Sequence, residues 1–542
     1  MNRLLKGTAL VTGTGLALYE IDTHFYARTF QRNLRTILTG IKIIADYKLN
    51  FTPEKADKIS NLHTRVAEDL YRVCTTNAGL YIKFGQQIAS MEHMAPPQYN
   101  QRFRTLYDNA PAVTWDEVVD VIKKDLGKHP DELFDNFEQE PIASASIAQV
   151  HRARRKDTGE LVAVKVQKPY IRPQLNWDIR TYRLFLRVVE TLFDLPLSWS
   201  ADYVEKHMRE EVDFRIEARN SERCYKELLK DNFLKKRVYV PKVYWETTSE
   251  RVMTSEFIDA VRFSDVNKVK DAGFSVKEVM GVTVDLFAHQ IFQTRFVHCD
   301  PHPGNVLVRP SSNNGFFHSI KRVLTGNTAV EPEVVLLDHG LYIEESEKFR
   351  NQNCNLWKSI FVQDLDALEK IAIGWGVTDP QLLASATLQR PYNAKKAVHI
   401  KSEAFNFADV YEMQVAAKDR LKSYLANTSI IPLELIFVGR NMNLVRANNK
   451  AMGSPVNRVN MMAERAVRGL NSAALSQWNY WRFRATLFLM TIGFYLVNVR
   501  KFFAQTLFGA KGEGFEDVTD RVMRENMKKQ FGMVVDETAF NA

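Results

Sequence analysis

The sequence predicts an α+β fold of two lobes, in which a strand-rich lobe precedes a helical lobe. Strand-like patterns concentrate between residues 141 and 262, and helical patterns prevail before residue 141 and after residue 275. The chain has 542 residues, of which 45% are apolar, so it can bury more than one core. This length and composition are typical of a globular protein with roughly two to four structural units.

The helical region in front of the strands is predicted at residues 55–110. Apolar residues recur there every three or four positions, and Pro96-Pro97 ends the pattern. Thr114 and Glu117 form the pattern of a capping box, which precedes a predicted helix over 118–126 that Gly127 stops. We therefore expect a helical extension before the strand-rich lobe.

The strands are predicted from short apolar runs that turn residues separate. A hairpin turn falls at 157–160, between a strand at 149–154 and a buried strand at 161–166. A helical region at about 201–229 follows, and the other predicted strands are 142–145, 238–243, 251–258, 305–308 and 334–337. Residues 311–332 are polar and rich in Ser, Asn and Gly, so we expect a surface loop there.

Charge and cysteine content exclude several classes of protein. The formal net charge of +9 suits an anionic partner such as a membrane surface or nucleotide phosphates. The sequence has no arginine-rich arm and no aromatic-basic repeat, so nucleic acid is not expected as a partner. The four cysteines form no CxxC pair, which argues against a disulfide framework or a zinc site.

The N-terminal segment is basic and poor in acidic residues. Arg3 and Lys6 precede a mildly apolar stretch over 7–19, and no acid occurs before Glu20. A mitochondrial presequence or short anchor over 1–45 fits this composition better than a secretory signal peptide, because the cleavage site of a signal peptide is not evident. The alternative is a surface helix without a targeting role.

An uncharged apolar segment lies at 485–499, between Arg484 and Arg500. As a helix it would span only about 22 Å, which is short of the roughly 30 Å hydrocarbon core of a bilayer. The aromatic residues that flank it resemble an interfacial belt; they are Trp478, Tyr480, Trp481, Phe502 and Phe503. A membrane-dipping or interfacial helix is predicted, and a buried core helix is the alternative.

Three polar residues occur in the order that phosphoryl transfer requires on a kinase scaffold. Asp300 stands in the run His298-Cys-Asp-Pro-His-Pro-Gly-Asn305, and Asp338 follows a further apolar run. On such a scaffold the first Asp faces the acceptor hydroxyl, and the Asn and the second Asp bind magnesium ions. Asp300 is therefore the candidate catalytic base, and Asn305 and Asp338 are candidate Mg²⁺ ligands, because hard oxygen donors suit this ion.

Lys165 ends the apolar run 162–165 (VAVK), where the phosphate-binding lysine of a kinase scaffold belongs. Its charge is costly to bury without an anionic partner, which ATP phosphates and a helix carboxylate would supply. Glu217 is the predicted carboxylate, and Asp213 is predicted on the same helix face. Taken singly, a lysine at a strand edge and an acidic helix face are ordinary solvated features. With the downstream motif, they predict a bilobal, protein-kinase-like fold that binds Mg-ATP.

A competing interpretation is a dinuclear metal hydrolase site made of His298, Asp300, His302, Asp338 and His339. Imidazoles and carboxylates do bind zinc, manganese or iron. This interpretation leaves Lys165 and Asn305 without roles. We therefore favour structural roles for His298 and His339, in which each ties its loop through backbone hydrogen bonds.

These motifs resemble those of the UbiB (aarF-domain) family of atypical kinases, in particular its mitochondrial aarF-domain-containing kinase 1 group. The resemblance covers about residues 50–450. Besides the motifs above, it rests on Lys83-Phe-Gly-Gln86 (KxGQ), the alanine-rich loop 143–151 (ASASIAQVH) and Glu211-Val-Asp213 (ExD). KxGQ joined to ExD is highly specific to this family.

The resemblance implies a regulatory lid. The helix that carries Lys83 and Gln86 would fold over the active site, where Lys83 meets Glu211 or Asp213 and blocks the cleft for a protein substrate. Gly85 inside this helix costs roughly 0.5–1 kcal/mol relative to Ala, which a close backbone approach would offset.

The resemblance also implies the nucleotide contacts. ATP would meet the loop, the lysine and its carboxylate, the hinge and the metal ligands, namely Ala143, Ser144, Ala145, Ser146, Val150, Lys165, Glu217, Glu256, Ile258, Asn305 and Asp338. The loop has Ala and Ser where ordinary kinases have Gly, so ATP binding is expected to be altered but not necessarily lost. Cys299 and His339 replace the usual Arg and Phe, and no Ala-Pro-Glu segment follows, which argues against a phosphorylation-regulated protein kinase.

The predicted function is an atypical kinase-like, Mg-ATP-dependent ATPase or phosphotransferase with Asp300 and Lys165 as catalytic residues. The family implies a mitochondrial, inner-membrane-associated protein with a lipid or small-molecule substrate and a role in lipid or coenzyme Q homeostasis and membrane organisation. Alternatives are a nucleotide-binding pseudokinase scaffold and a protein kinase. The predicted regions are 1–45 (targeting or anchor), 46–140 (helical extension with KxGQ), 141–262 (strand-rich lobe), 263–450 (helical lobe) and 451–542 (helical C-terminal region).

Overall fold

The computed structural model describes most of the chain, in two compact units. The described residues are 19–22, 27–90, 96–107, 111–194, 199–311, 330–377, 379–390, 392, 432–470, 477–508 and 512–531. Of the described residues, those up to Ile216 and Val243–Phe257 form one unit, and Glu217–Lys242 with those from Ile258 onwards form the other. Residues 1–18 of the predicted presequence and residues 312–329 of the predicted surface loop lie outside the described residues.

Helices account for most of the described residues. In chain order they are α1 (Thr29–Asn50), α2 (Ile59–Asn77), α3 (Leu80–Ser90), α4 (Pro97–Phe103), α5 (Trp115–Leu126), α6 (Pro130–Leu133), α7 (Ile171–Phe193), α8 (Trp199–Glu211), α9 (Phe214–Leu228), α10 (Val266–Asp271), α11 (Val276–His289), α12 (Glu347–Val362), α13 (Leu365–Gly374), α14 (Pro380–Leu388), α15 (Leu433–Ala451), α16 (Arg458–Gly469), α17 (Gln477–Phe508) and α18 (Phe515–Phe531).

The strands are short. In chain order they are β1 (Phe134–Asp135), β2 (Ala143–Ser144), β3 (Ala148–Arg155), β4 (Leu161–Gln167), β5 (Val238–Tyr239), β6 (Val252–Glu256), β7 (Val261–Arg262), β8 (Phe296–His298), β9 (Val306–Pro310), β10 (Pro332–Leu336) and β11 (Tyr342–Glu344). The predicted hairpin between β3 and β4 is present, with its turn at the predicted position.

The helical extension of the first unit packs around a small apolar core that includes Leu62, Val66 and Phe103. Helices fill most of the described part of 55–110, as predicted. A Cβ on Gly85 of α3 would lie 2.3 Å from Cδ1 of Leu106, a distance that no side chain tolerates. The close approach expected at this glycine is therefore present.

Helix α5 begins with the predicted capping box. The Glu117 carboxylate accepts the backbone N–H of Thr114 at 2.9 Å, and Gly127 ends the helix with a φ of 70°. The helix starts at Trp115, three residues before the predicted start. Its apolar face, which includes Val118 and Ile122, packs in the same core as the sheet of this unit.

The sheet of the first unit is antiparallel. Its strand order is β1-β3-β4-β6, and β2 pairs with β3. Val162 and Val164 of β4 are fully buried in the core beneath the sheet. Because side chains alternate along a strand, Lys165 lies on the opposite face. It stands opposite Val150 of β3 and Met253 of β6.

Several elements differ from the sequence prediction. The strand predicted at 142–145 is reduced to β2, and α7 was not predicted. The helical region predicted at 201–229 is two helices, because Val212 and Asp213 interrupt it. The Asp213 carboxylate accepts the backbone N–H of Arg215 at 3.0 Å and so satisfies a donor at the start of α9. Asp213 therefore precedes α9, and the prediction that it shares a helix face with Glu217 is wrong.

The second unit contains a four-stranded sheet in the order β5-β10-β9-β7 and a separate pair, β8 and β11. The rest of its described part is helical, around a core that includes the fully buried Phe287, Phe292 and Trp357. Strands β7, β8 and β11 were not predicted. Each has only two or three residues, too few to show an alternating pattern.

Helix α17 contains the predicted apolar segment 485–499 but is 32 residues long. At 1.5 Å per residue, its length is about 48 Å. Among the described helices, this is the one whose length and composition would allow it to cross a membrane; its apolar window has a mean hydropathy of 1.4 and is 11% buried. Because most of the helix is exposed, the alternative of a buried core helix is wrong.

Candidate functional site

Two short loops of the second unit carry the predicted catalytic base and magnesium ligands. Residues 299–305 connect β8 to β9, and residues 337–341 connect β10 to β11. Strand β8 pairs with β11, and β9 pairs with β10, so both loops begin and end at the same two antiparallel ladders. The ladders therefore hold the two loops side by side.

Hydrogen bonds between the loops fix this arrangement at both ends. The Cys299 N–H donates to the Leu341 carbonyl at 3.0 Å, and the Leu337 N–H donates to the Asn305 carbonyl at 2.9 Å. Asn305 is thus bonded to the residue directly before Asp338. The two predicted magnesium ligands therefore lie in neighbouring loops, one residue apart across this hydrogen bond.

Asp300 has a charged partner that sequence reasoning missed. Its carboxylate Oδ1 lies 3.4 Å from Nη2 of Arg440, a residue of α15 that is 140 positions further along the chain. The two side chains are 27% and 12% exposed, so this pair is better shielded from water than an ordinary surface ion pair. Cys299, which replaces the usual Arg of such loops, is itself fully buried.

Side chains of helix α15 also bind the backbone at and beside loop 299–305. The Asn441 side-chain amide donates to the His298 carbonyl at 2.6 Å, and the Asn448 amide donates to the Pro301 carbonyl at 3.0 Å. Both asparagines are buried. Asparagine is unfavourable inside a helix, so two asparagines in α15 are a sequence signal of tertiary contacts, which the sequence analysis did not use.

The Asp338 carboxylate is oriented by its own loop. Its Oδ1 accepts the Gly340 N–H at 2.8 Å, and a Cβ on Gly340 would lie 3.2 Å from the same oxygen. That Cβ would lie 4.0 Å from Oε2 of Glu217, so the carboxylates of Asp338 and Glu217 both border Gly340. Carboxylate and amide oxygens are suitable ligands for Mg²⁺.

The histidines in and beside the two loops form hydrogen bonds with the backbone. His298 Nδ1 accepts the Asp300 N–H at 3.0 Å, and His302 Nδ1 accepts the Gly304 N–H at 3.2 Å. His339 Nε2 lies 3.1 Å from the Leu336 carbonyl, to which it donates. Burial lowers the pKa of His298, which keeps its imidazole neutral and able to accept.

No group of three or more His, Cys, Asp or Glu residues is arranged to hold a metal ion in the part of the chain that the structure describes. The backbone bonds of the three histidines account for their presence. The dinuclear hydrolase interpretation is therefore left without support, and the structural roles favoured for His298 and His339 are those observed.

Lys165 lies close to the start of α9. Its Nζ is 5.1 Å from the ring centroid of Phe214, which is fully buried. In the same unit, the Gln167 side chain donates to the Val212 carbonyl at 2.9 Å and so links β4 to the ExD segment. Glu217 lies in the first turn of α9 but belongs to the second unit. Its pairing with Lys165 stays a prediction.

The alanine-rich loop is held by a buried lysine that sequence reasoning missed. The Ala145 N–H donates to the Ala148 carbonyl at 2.8 Å, which closes the loop into a tight turn. The Lys168 ammonium donates to the carbonyls of Ala145 and Pro111 at 2.6 and 2.7 Å. Lys168 is 1% exposed, and burial lowers its pKa to about 8.

The hydroxyls of Ser144 and Ser146 are buried, and within the described residues they have no hydrogen-bond partner. A buried hydroxyl without a partner is costly, so both sites are suited to an additional polar ligand. At the far end of the sheet, Glu256 is the last residue of β6, and the Phe257 N–H donates to the Leu161 carbonyl at 3.1 Å. The nucleotide-binding roles of these residues stay predictions.

The predicted lid residues meet in the first unit. Lys83 Nζ lies 3.0 Å from Oε1 of Glu211, and the two side chains are 23% and 12% exposed. The Gln86 amide donates to the Leu106 carbonyl at 3.1 Å. Glu211 is one of the two carboxylates that the resemblance offered for Lys83, and Asp213, the other, binds the guanidinium of Arg215 at 2.9 Å.

The sequence is similar to those of proteins in one family. The profile of the ABC1 atypical kinase-like domain matches residues 105–372. An ABC1 family protein of Schizosaccharomyces pombe is 36% identical over 485 residues, which cover 89% of this chain and 87% of that protein. A probable serine/threonine-protein kinase, abkD, of Dictyostelium discoideum is 37% identical, over 81% of this chain and 61% of that protein. The AarF domain-containing protein kinase 1 of Xenopus laevis is 31% identical over 78% of each chain.

The strand-rich sheet, the paired loops and the helical remainder define an atypical kinase-like protein. The chain belongs to the ABC1 atypical kinase-like family, also called UbiB, and its relatives include AarF domain-containing protein kinases 1. The predicted fold class and family are thereby confirmed. Several of these relatives are named as protein kinases, and the family is kinase-like.

Proposed function

We propose that the protein is a Mg-ATP-dependent phosphotransferase or ATPase. The observation that carries this proposal is the pair of loops between two shared ladders, which groups Asp300, Asn305 and Asp338 in the order that phosphoryl transfer needs. An ATPase activity would use water in place of an acceptor hydroxyl. The same base and metal ligands would serve either acceptor, so the site supports both outcomes.

Each candidate residue has its own proposed role in the reaction. Asn305 and Asp338 would hold Mg²⁺, which neutralises charge on the ATP phosphates when it is bound. Asp300, held by Arg440 and His298, would orient the attacking hydroxyl or water and accept its proton. Lys165 would contact phosphate oxygens; the sequence order alone argues for this role. The loop residues 143–146 and the 256–258 segment would contact the rest of the nucleotide.

The test is magnesium-dependent ATP binding and turnover in the full-length wild type and in Asp338→Asn. We expect turnover to fall by at least about 100-fold, because a magnesium ligand loses its charge. Asp366→Asn, which removes an exposed carboxylate of α13, is the matched control and should behave as wild type. Equal turnover in wild type and Asp338→Asn would refute the proposal.

Asp300→Asn separates the two remaining alternatives. A pseudokinase scaffold binds ATP without turnover, so its functional rescue of a deletion strain should be indifferent to this substitution. A protein kinase should phosphorylate peptides, and the same substitution should abolish that activity. Turnover of ATP without any peptide phosphorylation would favour an ATPase or a small-molecule phosphotransferase.

We propose that the Lys83–Glu211 ion pair restrains the active site, as the resemblance implies. The pair is partly buried, so we expect it to contribute about 1 kcal/mol. This free energy corresponds to about a fivefold shift in the equilibrium between a state in which the α3 helix covers the site and a state in which it does not. Lys83→Met should therefore raise autophosphorylation. Lys42→Met removes the exposed Lys42–Asp69 pair of the same unit and should have no effect. Unchanged or lower autophosphorylation in Lys83→Met would contradict a restraining role.

A mitochondrial location, an association with the inner membrane and a role in lipid or coenzyme Q homeostasis are proposed from the family resemblance. The basic, acid-poor N-terminal segment supports targeting, and the exposed apolar helix α17 supports membrane association. Carbonate extraction and protease protection on isolated mitochondria test the location. Lipid and quinone profiles of a deletion strain test the role, and normal profiles would speak against it.

A further inference from the structure

Helix α17 has two apolar faces that point in opposite directions. Phe483, Leu487 and Phe494 recur at helical spacing and are 3–5% exposed. The opposite side carries large apolar residues that are 40–67% exposed, and these include Trp481, Phe488, Leu489, Ile492, Leu496 and Phe503. A helix that is apolar on both faces needs an apolar environment on its second face as well.

The inner face of α17 is bound to its own unit along much of its length. The Thr486 hydroxyl donates to the Phe361 carbonyl at 3.0 Å, and the Asn460 amide donates to the Leu487 carbonyl at 2.9 Å. Fourteen residues beyond, the Lys501 ammonium donates to the Gly453 carbonyl at 2.8 Å. Between these points, the rings of Phe494 and Phe515 pack at 5.5 Å.

These contacts exclude a spanning orientation for the helix as it stands. The inner face is bound from residue 483 to residue 501, which is about 27 Å of helix. If α17 crossed a bilayer, the polar groups packed along it would enter the hydrocarbon core. Groups such as the Lys501 ammonium and the Asn460 amide would each cost several kcal/mol there. The outer face can instead meet a membrane with the helix axis parallel to its surface.

Charge indicates what kind of surface covers the outer face. Residues 477–508 contain no Asp or Glu, and Arg482, Arg484 and Arg500 flank the apolar face. Arg484 lies 3.4 Å from Glu464 and is still 53% exposed, so it keeps access to a further anion. Tryptophan and tyrosine at the start of the helix are residues that favour the membrane interface. This combination matches a bilayer with anionic headgroups.

We propose that α17 docks the protein on an anionic membrane, with the helix axis in the plane of the bilayer and the 481–503 face in the headgroup and upper acyl region. This docking rests on the membrane association proposed above and is independent of nucleotide chemistry. The unit carrying Asp300 and Asp338 is thereby a peripheral unit rather than part of a membrane-spanning one.

The first experiment measures co-sedimentation of the full-length chain with phosphatidylcholine vesicles, with and without phosphatidylglycerol. We expect binding that needs the anionic lipid. Leu489→Gln combined with Leu496→Gln should lower the binding constant by at least about tenfold, because two exposed leucines no longer enter the bilayer. The matched control, Leu184→Gln, changes an exposed leucine of α7 (51% exposed) and should bind as wild type.

Helix α1 supplies a rival surface, which the same assay distinguishes. Leu34 and Leu38 of α1 are 43% and 58% exposed. If Leu34→Gln with Leu38→Gln abolishes binding while the α17 variant binds normally, the membrane association stands and the α17 docking is wrong. If the wild type does not bind either type of vesicle, both proposals fail together.

The second experiment tests the orientation. Positions 481, 492 and 503 are eleven residues apart, so they lie within about 20° of one line along the helix. Nitroxide labels on Trp481→Cys, Ile492→Cys and Phe503→Cys should report one shallow depth in anionic vesicles. A maximum of depth at 492 would show a spanning helix and overturn the proposal. A concentration-dependent dimer that only the α17 variant loses would show that a second copy covers the face, and would overturn it too.

Discussion

Loop 299–305, which carries the candidate base Asp300, and the alanine-rich loop are held in different ways. Loop 299–305 is fixed by two antiparallel ladders, by backbone bonds to the 337–341 loop and by the side chains of α15. Loop 143–147 is held by the short β2–β3 pairing, by its own turn and by the ammonium of Lys168. Backbone bonds therefore contribute to both loops, but the alanine-rich loop also depends on a buried ammonium that titrates.

The two loops are therefore expected to respond to different changes. A loop held by ladders is preorganised, so a substitution affects it mainly through the position of its candidate catalytic side chains. A loop held by a buried ammonium responds to pH and to the polarity of its surroundings. Substitutions in and around each loop test this contrast.

The alanine-rich loop should make stability depend on pH through Lys168. Its folded pKa of about 8 lies below the reference value of about 10.5. The unfolded chain therefore binds more protons between these values, and stability rises with pH across this window. Relative to Lys168→Met, the wild type should gain about 2 kcal/mol between pH 7 and pH 9.5. Urea titrations of both chains measure this difference, and a constant difference would mean that Lys168 titrates normally.

A side chain at position 340 should lower activity, because it would crowd the Asp338 carboxylate. A Cβ there would lie 3.2 Å from Oδ1 of Asp338, so Gly340→Ala must displace the carboxylate by a few tenths of an ångström. We expect turnover to fall about tenfold, with little change in melting temperature. Gly374→Ala is the control, because a Cβ at that glycine meets nothing within 4 Å. A fully active Gly340→Ala would mean that the position of Asp338 is not critical.

The Arg440–Asp300 pair should matter for the chemical step rather than for binding. Arg440→Met removes the charge that lies 3.4 Å from the Asp300 carboxylate. We expect kcat to fall about fivefold, for a loss of about 1 kcal/mol, while the KM for ATP stays constant. Arg440→Lys should recover part of the loss, and Arg521→Met, at a 41% exposed position of the same unit, should have no effect. A change in KM alone would assign Arg440 to binding.

The smallest effect is expected at Ser146, whose buried hydroxyl has no partner in the described part of the chain. Ser146→Ala should leave stability unchanged or raise it by less than about 1 kcal/mol, and should weaken ATP binding about threefold. Ser249→Ala provides the contrast, since that hydroxyl donates to Asp125 at 2.7 Å and its loss should destabilise the protein. Weaker stability in Ser146→Ala with unchanged ATP affinity would exclude a ligand role for this serine.

Elements with strong local patterns were predictable from the sequence. The β3–β4 hairpin, the capping box at Thr114 and the helical extension all follow from periodicity or turn chemistry. The break at Val212 and Asp213 was missed because the residues on both sides favour helix, and only the hydrogen bond to Arg215 shows where α9 begins. The exposure of α17 was also undecided, since apolar residues alone do not distinguish a core helix from an interfacial one.

The candidate site divides in the same way. The order of Asp300, Asn305 and Asp338 could be recognised in the sequence, because phosphoryl transfer on a kinase scaffold uses these residue types within short motifs. Arg440, Asn441 and Lys168 were missed, because their partners are distant carbonyls or carboxylates that no local spacing reveals.

The amino-acid sequence was sufficient to predict the family, the order of the kinase-like motifs and the elements whose hydrophobic period repeats over several turns or strand positions. These features depend on neighbours along the chain. The tertiary structure alone decided that Lys83 binds Glu211, that the two loops share their ladders and that α17 leaves one apolar face exposed. These contacts join residues far apart in the sequence, so their free energy depends on packing that only the folded chain supplies.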